Sequence, residues 1–351
     1  MVTSKPAPLL WNLWYLALPS SRLKRGRTFP MTLMGEPLLF GRTSDGSPFA
    51  LRDICPHRGI PLRYGSFDGK EVTCCYHGWK FDPEGRCTEI PSLTPDQDFG
   101  VTRVRVRSYR CRDVQGNVWI YMSNKRSSED GEVPEPPVMP DVGDMNPRVR
   151  ISMPFPCNAD HAAFGLMDPT HAAFVHTSWW WKKQARKLRQ KEKQFEPAPL
   201  GWRMKRHRLP PENRLYKLFG DEVTTEISYR LPGLRIEHIK GDKHVAVGLT
   251  AITPLSENET EVHQLFYWTI GWLGIARPLL ERMALVFLGQ DRDVVVLQQQ
   301  GLAFDPALML VDDADTQAKW YHKLKTEWLK SEEDGRAFSN PLEPRTLRWR
   351  S

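Results

Sequence analysis

Two cysteines and two histidines occupy two short segments in the first third of the chain. His57 follows Cys55 by two positions, and His77 follows Cys74 by three. Thiolates and imidazoles are ligands for zinc and for iron–sulfur clusters, so these residues predict a metal centre held by two loops. Cys75 is not expected to be a ligand, because only Cys74 has the three-residue spacing to His77.

Two kinds of metal centre fit this ligand set. In a Rieske [2Fe–2S] cluster, Cys55 and Cys74 would hold one iron while His57 and His77 hold the other. The alternative is a zinc site of the Cys₂His₂ kind. Zinc fingers usually pair cysteine with cysteine and histidine with histidine, whereas here each loop supplies one of each. The spacing therefore favours the cluster, which would act as a one-electron relay.

The residues around the four ligands resemble a known family. The segments Cys55–Gly59 and Cys74–Trp79 are similar to those of the Rieske non-heme iron oxygenases, in the monooxygenase and demethylase-like branch of the large subunits. Trp14-Tyr15, Gly35–Leu38 and Gly116–Ile120 extend the likeness over the first third of the chain. The resemblance implies an α+β fold. An all-β cluster domain would precede a helix-grip-like catalytic domain, in which a curved antiparallel sheet accompanies a mononuclear iron site.

A second candidate metal site lies in the segment from Asp168 to His176. Two imidazoles and a carboxylate, with open positions on the metal, form the facial triad of non-heme Fe(II) oxygenases. Asp168-x-x-His171-x₄-His176 matches the family's second motif, which implies that the two histidines bind the mononuclear iron. On a regular helix these histidines would be about 140° apart. We therefore expect the helix to be irregular or to end between them.

The resemblance gives Asp168 a role other than that of iron ligand. It implies a bridge between the two metal centres, with Asp168 accepting hydrogen bonds from His171 and from a Rieske histidine of a neighbouring subunit. A structural role at a helix N-terminus before Pro169 is compatible with this bridge. The chain departs from the family where an asparagine is often found three or four residues before this aspartate, since Gly165 and Phe164 stand there.

The third iron ligand is expected to be a carboxylate from a distant helix. The segment Gly289–Gln300 resembles the late segment in which the family places this ligand. Asp291, directly after Gln290, is the first candidate, and Asp293 is the second. Acidic residues on helices commonly face solvent, so this assignment depends on the need for a third ligand.

Composition divides the chain into two domains. Short strands separated by turn signals predict a Rieske domain over residues 1–124, a Pro-rich linker over 125–148 and a catalytic iron domain over 149–351. The strands predicted in the two domains are Pro37–Phe40, Phe49–Arg52, Val101–Val106, Asn117–Tyr121, Val223–Leu231, Leu234–Ile239, Val245–Thr253 and Thr260–Ile270. Leu265, Tyr267 and Ile270 are candidates for the wall of an apolar substrate pocket, although core packing is the commoner role.

Residues 179–194 combine three tryptophans with many lysines and arginines. This composition predicts a solvated basic helix or loop. An alternative is a cap over the mouth of the active site that contacts a membrane surface. Nucleic-acid binding is not expected, because no other feature of the chain supports it.

Overall composition indicates an ordinary globular protein of two domains. The chain has 351 residues, of which 40% are hydrophobic, and its net charge of +7 favours acidic protein partners such as electron carriers. Six cysteines, two of them assigned to iron, are expected to be free of disulfides in a reducing cytoplasm. No uninterrupted apolar stretch reaches the roughly 18 residues of a transmembrane helix.

The resemblance implies a terminal oxygenase. Such a protein uses O₂ and electrons relayed through the cluster to hydroxylate or oxidatively demethylate a hydrophobic aromatic, sterol or pigment-like substrate at Fe(II). We find no Gly-x-Gly-x-x-Gly fingerprint, so we expect a separate NAD(P)H-dependent reductase, a ferredoxin, or both. A head-to-tail homotrimer is also implied. The alternatives are a ring-dihydroxylating dioxygenase, a non-catalytic Rieske electron-transfer protein and a zinc-binding module.

Overall fold

The computed structural model describes residues 8–125, 132–176, 178, 188–209 and 216–351. They form two compact units, one spanning Trp11–Val138 and one consisting mainly of Met139–Ser351. Within the described residues, no helix is both long enough and apolar enough to cross a membrane.

The unit Trp11–Val138 is built from short antiparallel strands. They are β1 (Leu13–Pro19), β2 (Arg27–Leu33), β3 (Glu36–Arg42), β4 (Pro48–Arg52), β5 (Ser66–Phe67), β6 (Val72–Thr73), β7 (Lys80–Phe81), β8 (Cys87–Glu89), β9 (Ser108–Tyr109), β10 (Cys111–Val114) and β11 (Asn117–Met122). These strands form three sheets with the orders β1-β11-β10, β2-β3-β4-β9 and β5-β6-β7-β8.

Local sequence explains these strands well. The hairpin between β2 and β3 turns at Met34 and Gly35, whose φ angles of 54° and 78° are the pair of positive values that a tight hairpin turn requires. The predicted strands at Pro37–Phe40, Phe49–Arg52 and Asn117–Tyr121 are confirmed by β3, β4 and β11.

The predicted strand Val101–Val106 is wrong. Val101–Arg103 forms one turn of 3₁₀ helix, followed by an extended segment that makes a single bridge between Arg105 and Arg86. In this segment valines alternate with arginines. Val104 and Val106 pack onto the core beside the cysteine loops, which accounts for the apolar positions of the pattern. Alternation can therefore reflect one-sided burial of an extended segment that pairs with its neighbour at only a single bridge.

The second unit holds one antiparallel sheet of eight strands. Its remaining elements are β12 (Val149–Phe155), β13 (Gln190–Ala198), β14 (Gly201–Arg208), β15 (Thr224–Arg230), β16 (Leu234–Lys240), β17 (Val245–Pro254), β18 (Thr260–Trp268), β19 (Arg345–Arg350), α1 (Ala159–Met167), α2 (Ala172–Val175), α3 (Arg277–Leu302) and α4 (Thr316–Glu333). The strand order is β12-β18-β17-β16-β15-β14-β13-β19, so the expected α+β architecture is confirmed. The four strands predicted between residues 223 and 270 correspond to β15–β18.

One face of this sheet packs against α3 and α4, and we call it the inner face. At one edge, a Cβ added to Gly289 of α3 would lie 4.0 Å from Cε of Met153 on β12. Further along the sheet, the ring of Trp202 is 5.6 Å from that of Trp320 on α4. The two helices therefore cover different parts of the same face.

The three pocket-wall candidates are packed in the core, which is the commoner role expected for them, and two of the three point away from the inner face. Leu265 and Tyr267 are fully buried, but they alternate with Phe266, which is directly opposite Val149, and with Gln264, which is opposite Ile151. Ile151 lies two residues from Met153 and so shares the inner face with it. Leu265 and Tyr267 consequently point to the opposite face. Ile270 belongs to a hydrophobic core cluster.

The basic segment at 179–194 is described only in part. Residues 179–187 lie outside the described residues, so the predicted cap or membrane contact stays a prediction there. The prediction of a helix is wrong from Gln190 onward, because Gln190–Ala198 forms the strand β13, which pairs with both β14 and β19.

Candidate metal centres

The two cysteine loops share one backbone conformation. In each loop the cysteine N–H donates to the carbonyl oxygen five residues later, and the glycine four residues later donates to the cysteine carbonyl, at 2.8–3.1 Å. Gly59 and Gly78 have φ angles of 74° and 71°, which residues with a Cβ rarely adopt. The glycines therefore allow both loops to close tightly behind Cys55 and Cys74.

The side chains of these loops meet at one site. The rings of His57 and His77 are 4.4 Å apart, and the Nδ1 atom of each is buried without a hydrogen-bond partner. Cys55 and Cys74 are also buried, and burial raises the pKa of Cys55 to about 11. Unpartnered buried imidazole nitrogens beside buried thiols fit a bound metal group, because metal bonds would satisfy both sets of atoms.

The geometry favours a cluster over a single zinc ion. The ligand atoms of a tetrahedral zinc site lie within about 4 Å of one another. Among the described residues, a different group, His171, His176 and Asp291, is the only one with three candidate ligand atoms within 4.8 Å of one another. The atoms of the cysteine loops do not converge in this way, whereas a [2Fe–2S] cluster assigns the two thiolates and the two imidazoles to separate irons.

The second candidate centre begins where α1 ends. Helix α1 stops at Met167, and Asp168 leaves helical geometry with ψ of 114°. One helical turn follows as α2, with His171 immediately before it and His176 immediately after it. The expectation of an irregular helix, or of one that ends between the two histidines, is confirmed, because the helical turn ends at Val175 and His176 is extended. A short turn bounded by both residues lets the two rings face one point.

A carboxylate from α3 completes this group. Oδ1 of Asp291 lies 3.5 Å from Nε2 of His171 and 3.4 Å from Nε2 of His176. The side chain of Asp293, in contrast, is 78% exposed and lies 4.0 Å from Arg292. Residues two positions apart on a helix point about 200° apart, so only one of the two aspartates can face the histidines. The structure places Asp291 there.

Hydrogen bonds at Nδ1 orient both imidazoles. Nδ1 of His171 lies 2.7 Å from the backbone carbonyl oxygen of Asp168, and Nδ1 of His176 lies 3.2 Å from Oε1 of Gln290. A carbonyl oxygen can only accept, so Nδ1 is the protonated nitrogen and Nε2 is left for a metal. Gln290 in turn donates to Oγ of Ser178 at 3.2 Å. Sequence reasoning did not assign this role to Gln290, and its only signal was its position next to Asp291.

Burial disfavours charge on two of the three ligands, His176 and Asp291. It raises the pKa of Asp291 to about 7, and it lowers the pKa of His176 to about 4. An uncharged His176 beside a carboxylate that lacks a compensating charge suits a divalent cation, which would supply that charge. The residues present therefore fit a mononuclear Fe(II).

Asp168 stands at the edge of this group. Its Oδ1 accepts hydrogen bonds from the N–H and the hydroxyl of Thr170, at 2.7 and 2.6 Å. Its Oδ2 is 3.7 Å from Nδ1 of His171, which instead contacts the Asp168 backbone carbonyl. The expected contact with His171 is therefore made mainly through the main chain, and Oδ2 remains available on a partly exposed side chain.

A cavity of about 350 Å³ opens beside the three ligands. Asp168, His171 and Asp291 line it together with apolar side chains from α1, α3 and the segment before α4, among them Phe164, Met167, Val295 and Leu310. An apolar cavity with a few polar groups at one point is the usual form of a small-molecule site.

Both halves of the chain match known family models. The Rieske [2Fe-2S] domain matches residues 13–110, and the vanillate O-demethylase oxygenase C-terminal domain matches residues 156–330. The chain belongs to the Rieske non-heme iron oxygenases. It therefore carries a Rieske [2Fe–2S] domain, and its family uses a mononuclear iron site.

One curated relative aligns with most of this chain. The chain is 28% identical over 289 residues to the chloroplastic chlorophyllide a oxygenase of Chlamydomonas reinhardtii. The aligned residues make up 81% of this chain and 40% of that protein. The chain spans less than half the length of the first curated relatives that it matches.

Solved structures support the fold. A dicamba monooxygenase bound to dicamba has a TM-score of 0.68 at 21% identity, covering 94% of this chain and all of that one. NdmA of Pseudomonas putida CBB5, as a mutant with theobromine, has a TM-score of 0.72 at 20% identity, covering 95% and 96%.

This Rieske oxygenase differs from the family pattern at Gly165. The residue lines the cavity, and a Cβ added there would meet no atom within 4 Å. Gly165 is one of the two positions, with Phe164, at which the family often has asparagine, and the space beside it is open.

Proposed function

We propose that this chain is a terminal oxygenase component that hydroxylates or oxidatively demethylates a hydrophobic substrate. The observation that carries the proposal is the convergence of His171, His176 and Asp291 beside an apolar cavity, in the same chain as a Rieske domain. The name of the second family model, a vanillate O-demethylase oxygenase domain, favours monooxygenation or demethylation over dihydroxylation of a ring.

The proposal assigns roles to the residues already described. Cys55 and Cys74 would hold one iron of the cluster, and His57 and His77 the other. His171, His176 and Asp291 would hold the mononuclear iron, and Asp293 faces away from them. When bound, the cluster supplies electrons one at a time, and the mononuclear iron supplies the site of O₂ reduction.

The protein's own groups would orient these ligands and the substrate. Asp168 and Gln290 fix the protonated nitrogen of each histidine through their carbonyl oxygens, so that Nε2 of both rings faces the metal position. Apolar side chains in the cavity, such as Phe164 and Val295, would exclude water from the reacting atoms.

Partners are part of the proposal. We propose a homotrimer in which Asp168 links His171 to a Rieske histidine of the neighbouring subunit. Electrons would come from a separate NAD(P)H-dependent reductase or a ferredoxin, and the net charge of +7 suits an acidic carrier. All six cysteines are free in the structure, which suits a reducing compartment such as the cytoplasm.

Metal and sulfide analysis, with an ultraviolet–visible spectrum of anaerobically purified protein, tests this proposal. We expect a brown protein with about three irons and two sulfides per chain. Two irons that stay two after addition of Fe(II) would favour the electron-transfer alternative. A colourless protein with zinc and no sulfide would refute the oxygenase function.

A further inference from the structure

The inner face of the eight-stranded sheet carries a row of polar side chains. Strand register places Gln264 of β18 opposite Thr250 of β17, and Thr250 opposite Arg235 of β16. Glu237 follows Arg235 by two residues, and directly opposed residues and residues two apart share a face. We call Gln264, Thr250, Arg235 and Glu237 the polar strip.

The polar strip lies between the two helices that cover the inner face. On one side, Gln264 is opposite Ile151 of β12, the strand that α3 approaches at Met153. On the other side, Arg235 is opposite Tyr229, whose ring lies 6.0 Å from Tyr321 of α4. Since α3 carries Asp291, the strip begins next to the helix that supplies the candidate iron ligand.

Two members of the strip are buried without hydrogen-bond partners. Thr250 and Gln264 are each only 8% exposed, and within the described part of the chain neither side chain makes a hydrogen bond. Neither the Thr250 hydroxyl nor the Gln264 amide is among the fully buried polar atoms that lack a partner, so both keep some contact with solvent. A bound molecule with complementary groups would replace water at these positions.

The charged members of the strip are only loosely paired. Nη1 and Nη2 of Arg235 both lie 3.4 Å from the same oxygen, Oε2, of Glu237. This leaves donors on Arg235 and the second oxygen of Glu237 for other contacts. The two charges cancel, so an anion would be repelled by Glu237 and a cation by Arg235. A neutral group that contains both an acceptor and a donor suits the pair better.

A gap in the sheet face adjoins these groups. Gly248 lies on the inner face directly between Glu237 and Phe266 on its neighbouring strands. A Cβ added there would lie 3.6 Å from the Phe266 ring, an ordinary contact, so the protein itself could accommodate a small side chain. Glycine inside a strand often marks the close approach of a ligand, and we interpret Gly248 in this way.

We propose that the polar strip and the gap at Gly248 form the substrate-recognition surface, an inference that rests on the proposed oxygenase function. The substrate is a neutral amphipathic molecule in which an apolar ring or chain carries an acceptor next to a donor, as in a carboxamide or lactam. Arg235 donates to its carbonyl oxygen, and Glu237 accepts from its N–H. Thr250 and Gln264 make the remaining hydrogen bonds.

Matched ligands test the substrate class. We would measure anaerobic binding to the iron-loaded full chain by calorimetry with 2-naphthamide, 2-naphthoate and 2-methylnaphthalene, and with benzamide, benzoate and toluene. In at least one set, the carboxamide should bind about tenfold more tightly than the carboxylate and the hydrocarbon of that set. The reason is that hydrogen-bonding sites reject analogues that leave their groups unsatisfied. If neither carboxamide outranks both of its partners, the proposal is overturned.

Variants then test the residues. Gln264→Leu, Arg235→Met and Gly248→Val should each reduce carboxamide binding about tenfold while iron content and Tm stay close to those of the parent. Arg203→Met is the matched control, since Arg203 pairs with Glu196 at 2.6 Å on the opposite face of the same sheet. Equal effects of Arg235→Met and Arg203→Met would contradict the proposal.

The binding and oxygenation measurements test the polar strip and the oxygenase function separately. Binding is measured without O₂, so carboxamide selectivity in a protein that never oxygenates any bound ligand would refute only the oxygenase function. Oxygenation of a hydrocarbon by a protein without carboxamide preference would refute only the role of the polar strip.

Discussion

At the scale of single residues, position decides between chemically identical groups. Asp291 and Asp293 are two residues apart on α3, yet the side chain of one is 16% exposed and that of the other 78%. Only Asp291 lies within reach of both Nε2 atoms. The proposed ligand set therefore depends on the rotation of one helix.

Asp291→Ala should abolish binding of the mononuclear iron. We expect a loss of about one iron per chain, because two imidazoles alone hold Fe(II) weakly, while the cluster spectrum stays unchanged. Iron analysis and visible absorption measure the two centres separately. Asp293→Ala is the control and should keep all the iron; the reverse pattern would show that the carboxylate was assigned to the wrong residue.

Gln290→Leu should weaken binding of the mononuclear iron without removing a ligand. The change deletes the acceptor for Nδ1 of His176 and so releases the ring's orientation. Loss of such outer hydrogen bonds typically costs about 10–100-fold in metal affinity. Titration of apo protein with Fe(II) measures the change. Gln290→Glu keeps an acceptor and should bind better than the leucine variant, and equal affinities of these two variants would contradict the role.

At the scale of elements, a buried polar contact holds α1 against α4. Oδ1 of Asp160 accepts hydrogen bonds at 2.6 Å from Nζ of Lys325 and from the Tyr321 hydroxyl. Burial lowers the pKa of Lys325, so its charge is tolerated there mainly because Asp160 is adjacent. This contact positions the helix that leads directly into Asp168 and His171.

Lys325→Met should destabilise the fold strongly. It leaves the Asp160 carboxylate buried without its counter-charge, which typically costs about 3 kcal/mol or more. Urea unfolding of the full chain measures the change in free energy. Lys319→Met is the control on the same helix, because Lys319 pairs with Asp312 at the surface, where such pairs contribute at most about 1 kcal/mol. Similar losses in both variants would contradict a special role for the buried contact.

At the scale of the whole molecule, the proposal requires more than one chain. Analytical ultracentrifugation should give three times the mass of one chain. Asp168→Asn should keep this mass, both metal centres and reduction of the cluster, because the amide retains the shape of the side chain. We expect it to stop electron transfer between the centres, since the bridging carboxylate is lost.

Single-turnover absorption measures that transfer. With substrate and O₂ present, the pre-reduced cluster of Asp168→Asn should stay reduced, whereas that of the parent protein oxidises. Thr170→Val, which removes only the hydroxyl contact to Oδ1 of Asp168, is the control and should transfer electrons. Normal oxidation in Asp168→Asn would remove the basis for the bridge.

The sequence alone indicated the features that depend on residues close together in the chain, namely the spacings of candidate ligands and some of the strands. The four candidate cluster ligands and the pair His171 and His176 were visible as spacings, because the members of each pair are close in the sequence. Four of the eight strands of the large sheet, β15–β18, were also visible, since β-branched and aromatic residues recur between turn signals.

Tertiary structure decided what depends on direction in space. It placed Asp291 rather than Asp293 beside the histidines and brought Gln290 to His176 across 114 residues of sequence. It also turned Gln264 to the inner face and Leu265 away from it. A strand exchanges its two faces when its register moves by one residue, and register is set by pairing between distant strands, so the polar strip was not visible in the order of residues.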